Sequence, residues 1–346
     1  MPHPFSAKGP LLPLILILLA LLCMVGSAGM GYINISASDI IHIIASKISG
    51  DSTLLTGIEP SLPYVIMDIR LPRILCAFLV GAGLAISGVI YQGILLNPLA
   101  DPYTLGVSSG AAFGAALALL ANMALLPLSL PLCAFGGALI TLFIVIRLSS
   151  FGGQISAGTL ILSGVIIGAI LSAGISFIKY LADEQVSAII FWLMGSFVAR
   201  GWSDVAVILA SLVPGLAIAL YYSRDLNIIA TGNRASASLG VETARVRKIL
   251  LITASLITAV CVSATGIIGF IGLIVPHLMR IVVGPDNRKL LPVSFLAGGI
   301  LLLVADTVTR AVLPVEIPIG ILTALIGGPV FCLIFRKRQR GLRYGN

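Results

Sequence analysis

Charged residues at the ends of long apolar segments carry the clearest chemistry in this sequence. Arg70 and Arg73 lie three positions apart at the start of one such segment, so a helix presents both on one face. Asp306 and Arg310 lie four positions apart, where a helix brings their side chains together. Arginines at such places either anchor the chain by reaching lipid headgroups or receive carboxylates from an acidic partner. The residues alone leave both interpretations open for Arg70 and Arg73.

The sequence contains no pattern typical of covalent catalysis or nucleotide binding. It has no G-x-x-x-x-G-K-[ST] loop and no dinucleotide fingerprint. The 3 histidines and 5 cysteines show no metal-ligand spacing, and the cysteines lie in or beside apolar runs. We therefore predict that the chain is not an enzyme and holds no catalytic residue, cofactor or metal. If the protein's function consumes ATP, another subunit must bind the ATP and Mg²⁺.

The composition indicates a membrane protein. Of 346 residues, 58% are hydrophobic and 10% are charged, and the mean hydropathy is +1.12, whereas soluble domains have about 25% charged residues. Apolar runs of about 20 residues can each cross a hydrocarbon core as a helix, and they lack the alternation of barrel strands. The net charge of +8 is attributed to membrane topology rather than to nucleic-acid binding, because no basic patch carries interleaved aromatic residues. We predict an all-α polytopic membrane protein.

The apolar pattern predicts about ten transmembrane helices in one domain, residues 1–346. A shorter apolar piece, residues 188–198, is too short to cross and predicts a re-entrant or surface helix after span five. The first segment has few charges before it and is longer than a signal-peptide core, so we expect an uncleaved helix. The ten spans are predicted at residues 11–31, 71–96, 104–121, 125–147, 159–181, 204–222, 247–266, 268–283, 290–311 and 318–335.

The distribution of lysine and arginine predicts the orientation. The basic tail at residues 336–340 places the C-terminus in the cytoplasm, and an even number of spans then places the N-terminus there as well. Arg70, Arg73 and Arg310 fall on the outer side. The longest outer segment is 32–69, with partly helical character, and the longest inner segment is 221–248. We predict a multi-pass protein of the cytoplasmic (inner) membrane.

Small residues recur at four-residue spacing. Gly106, Gly110 and Gly114 form one series, and Gly164 and Gly168 another. This spacing lets helix backbones approach closely in lipid. The pattern favours plain helix packing over a substrate-lining or moving interface.

Several stretches of the sequence resemble permease subunits of the bacterial ABC importers for iron–siderophore complexes, haem and cobalamin. They extend over nearly the whole chain, and together they are highly specific. They are 70–73 (RLPR), 81–88 (GAGLAISG), 97–102 (NPLADP), 105–110 (LGVSSG), 192–195 (WLMG), 269–280 (GFIGLIVPHLMR), 316–320 (EIPIG) and 328–331 (GPVF).

The resemblance implies partners and a path for cargo. It implies ten helices, a second permease chain in a homodimer or closely similar pair, two cytoplasmic ATPase subunits, and a periplasmic or lipid-tethered binding protein. The path would follow the dimer axis. Arg70, Arg73 and Arg310 match arginines that receive glutamates from the binding protein.

The resemblance also assigns a gate and a coupling segment. Asn97, Pro98 and Leu99 match a loop at the cytoplasmic end of the path. A second gate element falls at Ser156, Ala157 and Gly158, where the family often has hydroxyl residues near the last two positions and this chain does not. A cytoplasmic segment at about 225–245 corresponds to the ATPase-coupling helices. Its residues of interest are Ala230, Gly232, Ala237, Ser238, Leu239, Gly240 and Val241.

The resemblance implies that this chain translocates a metal chelate by ATP-driven alternating access. The chelate would be an iron–siderophore complex, haem or cobalamin, and an oxyanion such as molybdate also occurs as cargo in this group. The alternative is a secondary transporter driven by an ion gradient. That mechanism needs acidic residues at mid-membrane and usually inverted repeats, and neither is visible in the sequence.

Overall fold

The computed structural model describes residues 11–31, 33–123, 128–151, 154–312 and 315–343. Residues 1–10, which precede α1, lie outside this part of the chain. Within these ranges, the regular elements of the first half are helices and one two-residue antiparallel strand pair that joins α6 to α7. Its elements are α1 (Leu11–Gly29), α2 (Ala37–Ser49), a 3₁₀ turn (Ser52–Leu55), α3 (Leu62–Tyr64), a π-helical turn (Val65–Arg70), α4 (Leu71–Ile94), α5 (Val107–Leu120), α6 (Ser129–Ser149), β1 (Ser150–Phe151), β2 (Gln154–Ile155) and α7 (Ala157–Leu181).

The second half, as far as it is described, contains only helices and their connections. Two of these helices, α10 and α11, are short and lie in the predicted inner segment. The elements are α8 (Val186–Leu193), α9 (Trp202–Tyr221), α10 (Ser223–Ile229), α11 (Asn233–Ser238), α12 (Thr243–Thr265), α13 (Ile271–Val283), α14 (Asn287–Ala311) and α15 (Ile319–Arg343).

The apolar helices agree with a polytopic membrane protein. Seven helices in the described part are long and apolar enough to cross a bilayer. Three predicted spans correspond to shorter apolar helices, Val107–Leu120, Ile271–Val283 and Ile319–Leu333. The predicted short helix after span five is present as α8. The predicted outer segment 32–69 contains α2, the 3₁₀ turn, α3 and the π-helical turn.

Helix α4 forms the centre of the bundle. The most apolar part of the Leu62–Ile94 stretch is 94% buried, although its composition would also allow it to face lipid. It packs against α14, α12, α13 and α9. The contact with α14 depends on glycine, because a methyl group at Gly81 would fall on the carbonyl oxygen of Gly298. Close backbone approach without side chains is typical of membrane helix pairs.

The predicted small-residue packing is also observed. A side chain at Gly110 would collide with the backbone of Gly137, and one at Gly114 with the carbonyl group of Cys133. Both contacts join α5 to α6. Gly164 packs in the same way against Leu105. These glycines therefore set the spacing between α5 and its neighbours α6 and α7.

Candidate functional site

Arg70 and Arg310 are turned inward, onto the C-terminal end of α1. Arg70 is 8% exposed, and its two terminal nitrogens donate to the carbonyl oxygens of Ala28 (2.6 Å) and Ile33 (2.5 Å). Arg310 donates to the carbonyl oxygens of Met30 (2.6 Å) and Ser27 (2.5 Å). The last carbonyls of a helix lack intrahelical donors and carry partial negative charge. The two guanidinium groups therefore cap α1 and fasten it to α4 and α14.

Arg73 occupies a different position, between two carboxylates. Its Nη2 donates to Asp306 Oδ1 at 2.8 Å and to Glu316 Oε1 at 2.5 Å. Asp306 is 1% exposed, whereas the Glu316 side chain is 42% exposed. The predicted pair of Asp306 with Arg310 is present, at 3.6 Å between Arg310 Nε and Asp306 Oδ2. Arg73 thus lies at the open edge of the cluster.

We call these five residues the outer cluster: Arg70, Arg73, Asp306, Arg310 and Glu316. The structure brings the three arginines that the sequence singled out together at one end of the bundle, where α4 begins and α14 ends. Three cations against two carboxylates leave a net positive charge. The role of the arginines in docking a partner stays a prediction. The sequence did not predict the bonds from Arg70 and Arg310 to the carbonyl groups at the end of α1, because they depend on where α1 ends.

The loop after α4 is held in turns by hydrogen bonds between its own side chains and its backbone. Asn97 Oδ1 accepts a hydrogen bond from the backbone N–H of Leu99 at 2.9 Å, which is the side-chain-to-backbone bond of an Asx turn. Asp101 Oδ1 accepts from the N–H groups of Tyr103 (3.1 Å) and Thr104 (3.0 Å). The side chains of Asn97 and Asp101 therefore hold this loop in turns, and Leu99 is exposed.

The second predicted gate element begins α7. The Ser156 side chain accepts from the N–H of Thr159 at 3.1 Å and so caps the helix. Ala157 is half-buried and Gly158 is exposed. A Cβ atom at Gly158 would meet no atom within 4 Å. The absence of a hydroxyl residue here therefore does not reflect a lack of space.

The predicted coupling segment is a pair of short helices, α10 and α11. Gly232 (φ 101°) and Gly240 (φ 79°) adopt left-handed backbone conformations that strain other residues. The Ser236 side chain is buried and donates to the carbonyl oxygen of Ile228 or Gly232. Leu239, between α11 and Gly240, is 64% exposed. A rigid turn with an outward leucine suits contact with another protein.

A cavity of about 580 Å³ joins the gate elements to the coupling segment. Leu96 of the loop after α4 lines it from one side, and Ser156 and Ala157 from another. Thr231 of the coupling segment and Arg247 of α12 complete the wall. The segments that the resemblance assigned to gating and to coupling are therefore neighbours in space, although they are far apart in sequence.

A polar contact that the sequence did not predict lies beside the coupling segment. Asn227 of α10 donates through Nδ2 to Asp286 Oδ1 at 2.7 Å, just before α14. Asn227 Oδ1 accepts from the backbone N–H of Asn287 at 2.8 Å. The side chain of Arg288 donates to the Asp286 carboxylate, and these bonds hold the pKa of that carboxyl well below its usual range. An Asp-Asn pair before an apolar run signals a helix cap, but no sequence pattern connects it to Asn227.

No group of three or more His, Cys, Asp or Glu side chains that could hold a metal occurs among the described residues. The cysteines in the described ranges are free thiols.

A sequence family described as the FecCD transport family matches residues 16–337. The chain is 43% identical over 295 residues to the cobalamin import system permease protein BtuC of Halobacterium salinarum, covering 85% of this chain and 79% of that one. It is 39% identical to the molybdate import system permease protein MolB of Haemophilus influenzae, covering 94% and 95%. It is 38% identical to the hemin transport system permease protein HmuU of Yersinia pestis, covering 95% and 96%.

The fold is similar to that of a solved metal-chelate type ABC transporter in an inward-facing conformation. The TM-score is 0.83 at 36% sequence identity, over 95% of this chain and 99% of that chain.

Proposed function

Since this chain belongs to the FecCD transport family, we propose that it is the membrane-spanning permease subunit of an ABC importer for a metal chelate. The observation that carries the proposal is the family match over residues 16–337, together with import permeases that match over 79% to 96% of their length. The relatives' cargoes include cobalamin, hemin and molybdate. We propose a bulky chelate as cargo, with selectivity set mainly by the binding protein.

The permease works with partners in this proposal. Two cytoplasmic ATPase subunits bind ATP and Mg²⁺, because this chain carries no nucleotide-binding motif. A second permease chain, most simply a copy of this one, completes the path along the axis between them. The seven long and three shorter apolar helices then form ten spans, with both termini in the cytoplasm. This orientation places the outer cluster and the coupling segment on opposite sides of the membrane.

Docking of the binding protein involves the outer cluster. Arg73 is the arginine best placed to receive a carboxylate, because its present partner Glu316 is itself exposed and can move aside. Arg70 and Arg310 support the site by holding α1 in place, and they add positive potential. Such charges contribute more to orientation and association rate than to affinity.

ATP binding moves the coupling segment, and the gates follow. The exposed Leu239 and the turn around it contact the ATPase in this proposal. The cavity between Thr231, Ser156 and Leu96 gives the coupling segment room to shift against both gate elements. The change between outward-open and inward-open states is then a rigid-body transition driven by different affinities of the two states for ATP.

An ion-gradient mechanism has less support in the structure. Among the described residues, the buried carboxylate inside a membrane helix is Asp306, and it is paired with Arg73 and Arg310. This acid lies near the outer end of α14 rather than at its middle.

The test measures ATP hydrolysis by the complex of permease and ATPase in lipid. Candidate binding proteins are added with and without haem, cobalamin, a ferric siderophore or molybdate. We expect one loaded binding protein to stimulate hydrolysis, and the triple variant Arg70→Glu, Arg73→Glu, Arg310→Glu to lose docking. A chain that copurifies with no ATPase would overturn the proposal.

A further inference from the structure

Helix α10 lies across the ends of two long helices, α4 and α14. Leu226 of α10 is fully buried and packs so closely on α4 that a Cβ atom at Gly93 would lie 2.7 Å from its Cδ1. The next residue, Asn227, bonds to Asp286 and Asn287 at the start of α14. Two adjacent residues of α10 therefore hold two different helices.

The contact with α14 uses the whole amide group of Asn227. Its Nδ2 donates to Asp286 at 2.7 Å, and its Oδ1 accepts from the backbone and side-chain nitrogens of Asn287, both at 2.8 Å. Asn287 is 5% exposed. We call this set of bonds between Asn227, Asp286 and Asn287 the inner clasp.

The inner clasp is not needed to cap α14. Asp286 already accepts from the N–H of Arg288 at 3.1 Å, which is the bond that caps the helix. The bonds to Asn227 add a connection to another element. A role in positioning α10 relative to α14 explains them better than local helix stability does.

Helices α4 and α14 form a unit that reaches the outer cluster. Their backbones touch where Gly81 meets Gly298, so the pair cannot slide without breaking close contact. At the far end, Arg73 of α4 is bonded to Asp306 of α14 at 2.8 Å. Asn287 and Asp306 lie on the same helix, so about 28 Å separates the inner clasp from the outer cluster at 1.5 Å per residue.

We propose that Asn227 is a positioning residue that couples α10 to the α4–α14 pair, so that binding-protein docking at the outer cluster and ATP-driven motion of the coupling segment reach each other through this pair. The inference rests on the proposed function and adds a route to it. The route is physical: packed helices with fixed contacts at both ends move together.

The first experiment tests the inner clasp without any partner. Spin labels are attached at Thr231→Cys and Lys289→Cys, both exposed positions, in membrane-reconstituted permease whose native cysteines are replaced. Asn227→Asp places a second carboxylate against Asp286, so we expect the label–label distance distribution to broaden or lengthen. The exchange Asn227→Asp with Asp286→Asn restores a donor and an acceptor, and we expect it to recover the narrow distribution. A distribution unchanged by Asn227→Asp would overturn the clasp.

The second experiment tests coupling in the complex with ATPase and binding protein. The readout is the ratio of binding-protein-stimulated to basal ATP hydrolysis. We expect Asn227→Asp to lower this ratio by about fivefold or more, in the range of a typical coupling energy, and the double exchange to recover it. Asn122→Asp, the same substitution at an exposed amide between α5 and α6, is the control and keeps the ratio.

The outcomes separate this inference from the proposed function. If the wild-type complex shows stimulated hydrolysis and Asn227→Asp shows the same ratio, the coupling route is wrong and the importer remains. If the wild-type chain binds no ATPase, the proposed function fails, and with it the coupling role of Asn227. In that case the label distances still decide whether the inner clasp exists.

Discussion

At the scale of single residues, three arginines of similar sequence context have different roles in the structure. Arg70 and Arg310 satisfy the terminal carbonyl groups of α1, whereas Arg73 bridges Asp306 and Glu316. The three side chains are similarly buried and must all find acceptors, so the acceptors within reach of each guanidinium decide this difference. Because its partner Glu316 is exposed, Arg73 can exchange this carboxylate for another one at a lower cost in free energy. The bonds of Arg70 to backbone carbonyls match neither interpretation that the sequence left open for it, headgroup anchoring or partner binding. For Arg73, partner binding stays a prediction.

The exposed pair of Arg73 and Glu316 gives a prediction about docking. Glu316→Gln removes the carboxylate that competes for Arg73, so we expect the binding protein to dock more tightly. Arg73→Glu should dock more weakly. Exposed ion pairs contribute about 0–1 kcal/mol, so the gain for Glu316→Gln is at most about fivefold in Kd. Surface plasmon resonance on permease in nanodiscs measures both, and equal affinities for both variants would exclude Arg73 from the docking site.

At the scale of elements, glycine contacts fix the distance between helices. Gly81 in α4 sits against Gly298 in α14, whereas Gly136 in α6 has no atom within 4 Å of where a Cβ would be. We expect Gly81→Ala to destabilise the protein by about 1–3 kcal/mol through overpacking. The matched change Gly136→Ala should be neutral or stabilising, because alanine favours helices. Thermal unfolding in detergent compares the two, and equal unfolding temperatures would contradict the packing.

The turn between α11 and α12 is a second element with a testable role. Leu239→Asp should leave folding intact, because the side chain is 64% exposed, but should remove the apolar contact proposed with the ATPase. We expect hydrolysis to continue without cargo transport, or the ATPase to dissociate. Leu239→Met keeps an apolar side chain of similar volume and is the control. Normal coupling in Leu239→Asp would place the ATPase contact elsewhere.

The inner clasp also predicts how α10 responds to pH. The pKa of Asp286 is held well below its ordinary value, first by hydrogen bonds from the Arg288 side chain and then by Asn227. A carboxyl with a depressed pKa stabilises the fold above its unfolded pKa of about 3.9 and loses that contribution as the pH falls through the folded pKa. Both pH 7.5 and pH 5 lie about 1 unit or more above the unfolded pKa of the carboxyl. We therefore expect the distance between labels at Thr231→Cys and Lys289→Cys to be the same at these two pH values. Broadening at pH 5 would show that the carboxylate is not held in this way.

At the scale of the whole molecule, the sequence predicted the class of protein better than it predicted contacts between helices. Apolar runs are local signals, so the long apolar helices and α8 could be placed from them. The shorter α5 and α13 differ from the predicted spans because proline- and glycine-containing loops begin or end them. Asn227 with Asp286 and Arg70 with Ala28 join residues far apart in the chain. Such pairs depend on how helices assemble, which no spacing rule encodes.

The outer cluster and α10, for which we propose docking and coupling roles, lie at opposite ends of one helix pair. The outer cluster joins α4 to α14 at one end, and α10 joins them at the other. The relatives are import permeases, and contacts along the α4–α14 pair connect the two ends. An importer that waits for a loaded binding protein before it completes a cycle requires such a connection.

We expect this chain to carry cargo only as part of an ATP-driven importer. The most direct measurement is cargo uptake into proteoliposomes that contain the permease and its ATPase, with haem, cobalamin, a ferric siderophore or molybdate on its binding protein outside. We predict accumulation of one cargo when ATP is enclosed on the ATPase side, and none with an ion gradient alone. Uptake driven by an ion gradient without ATP would contradict the account.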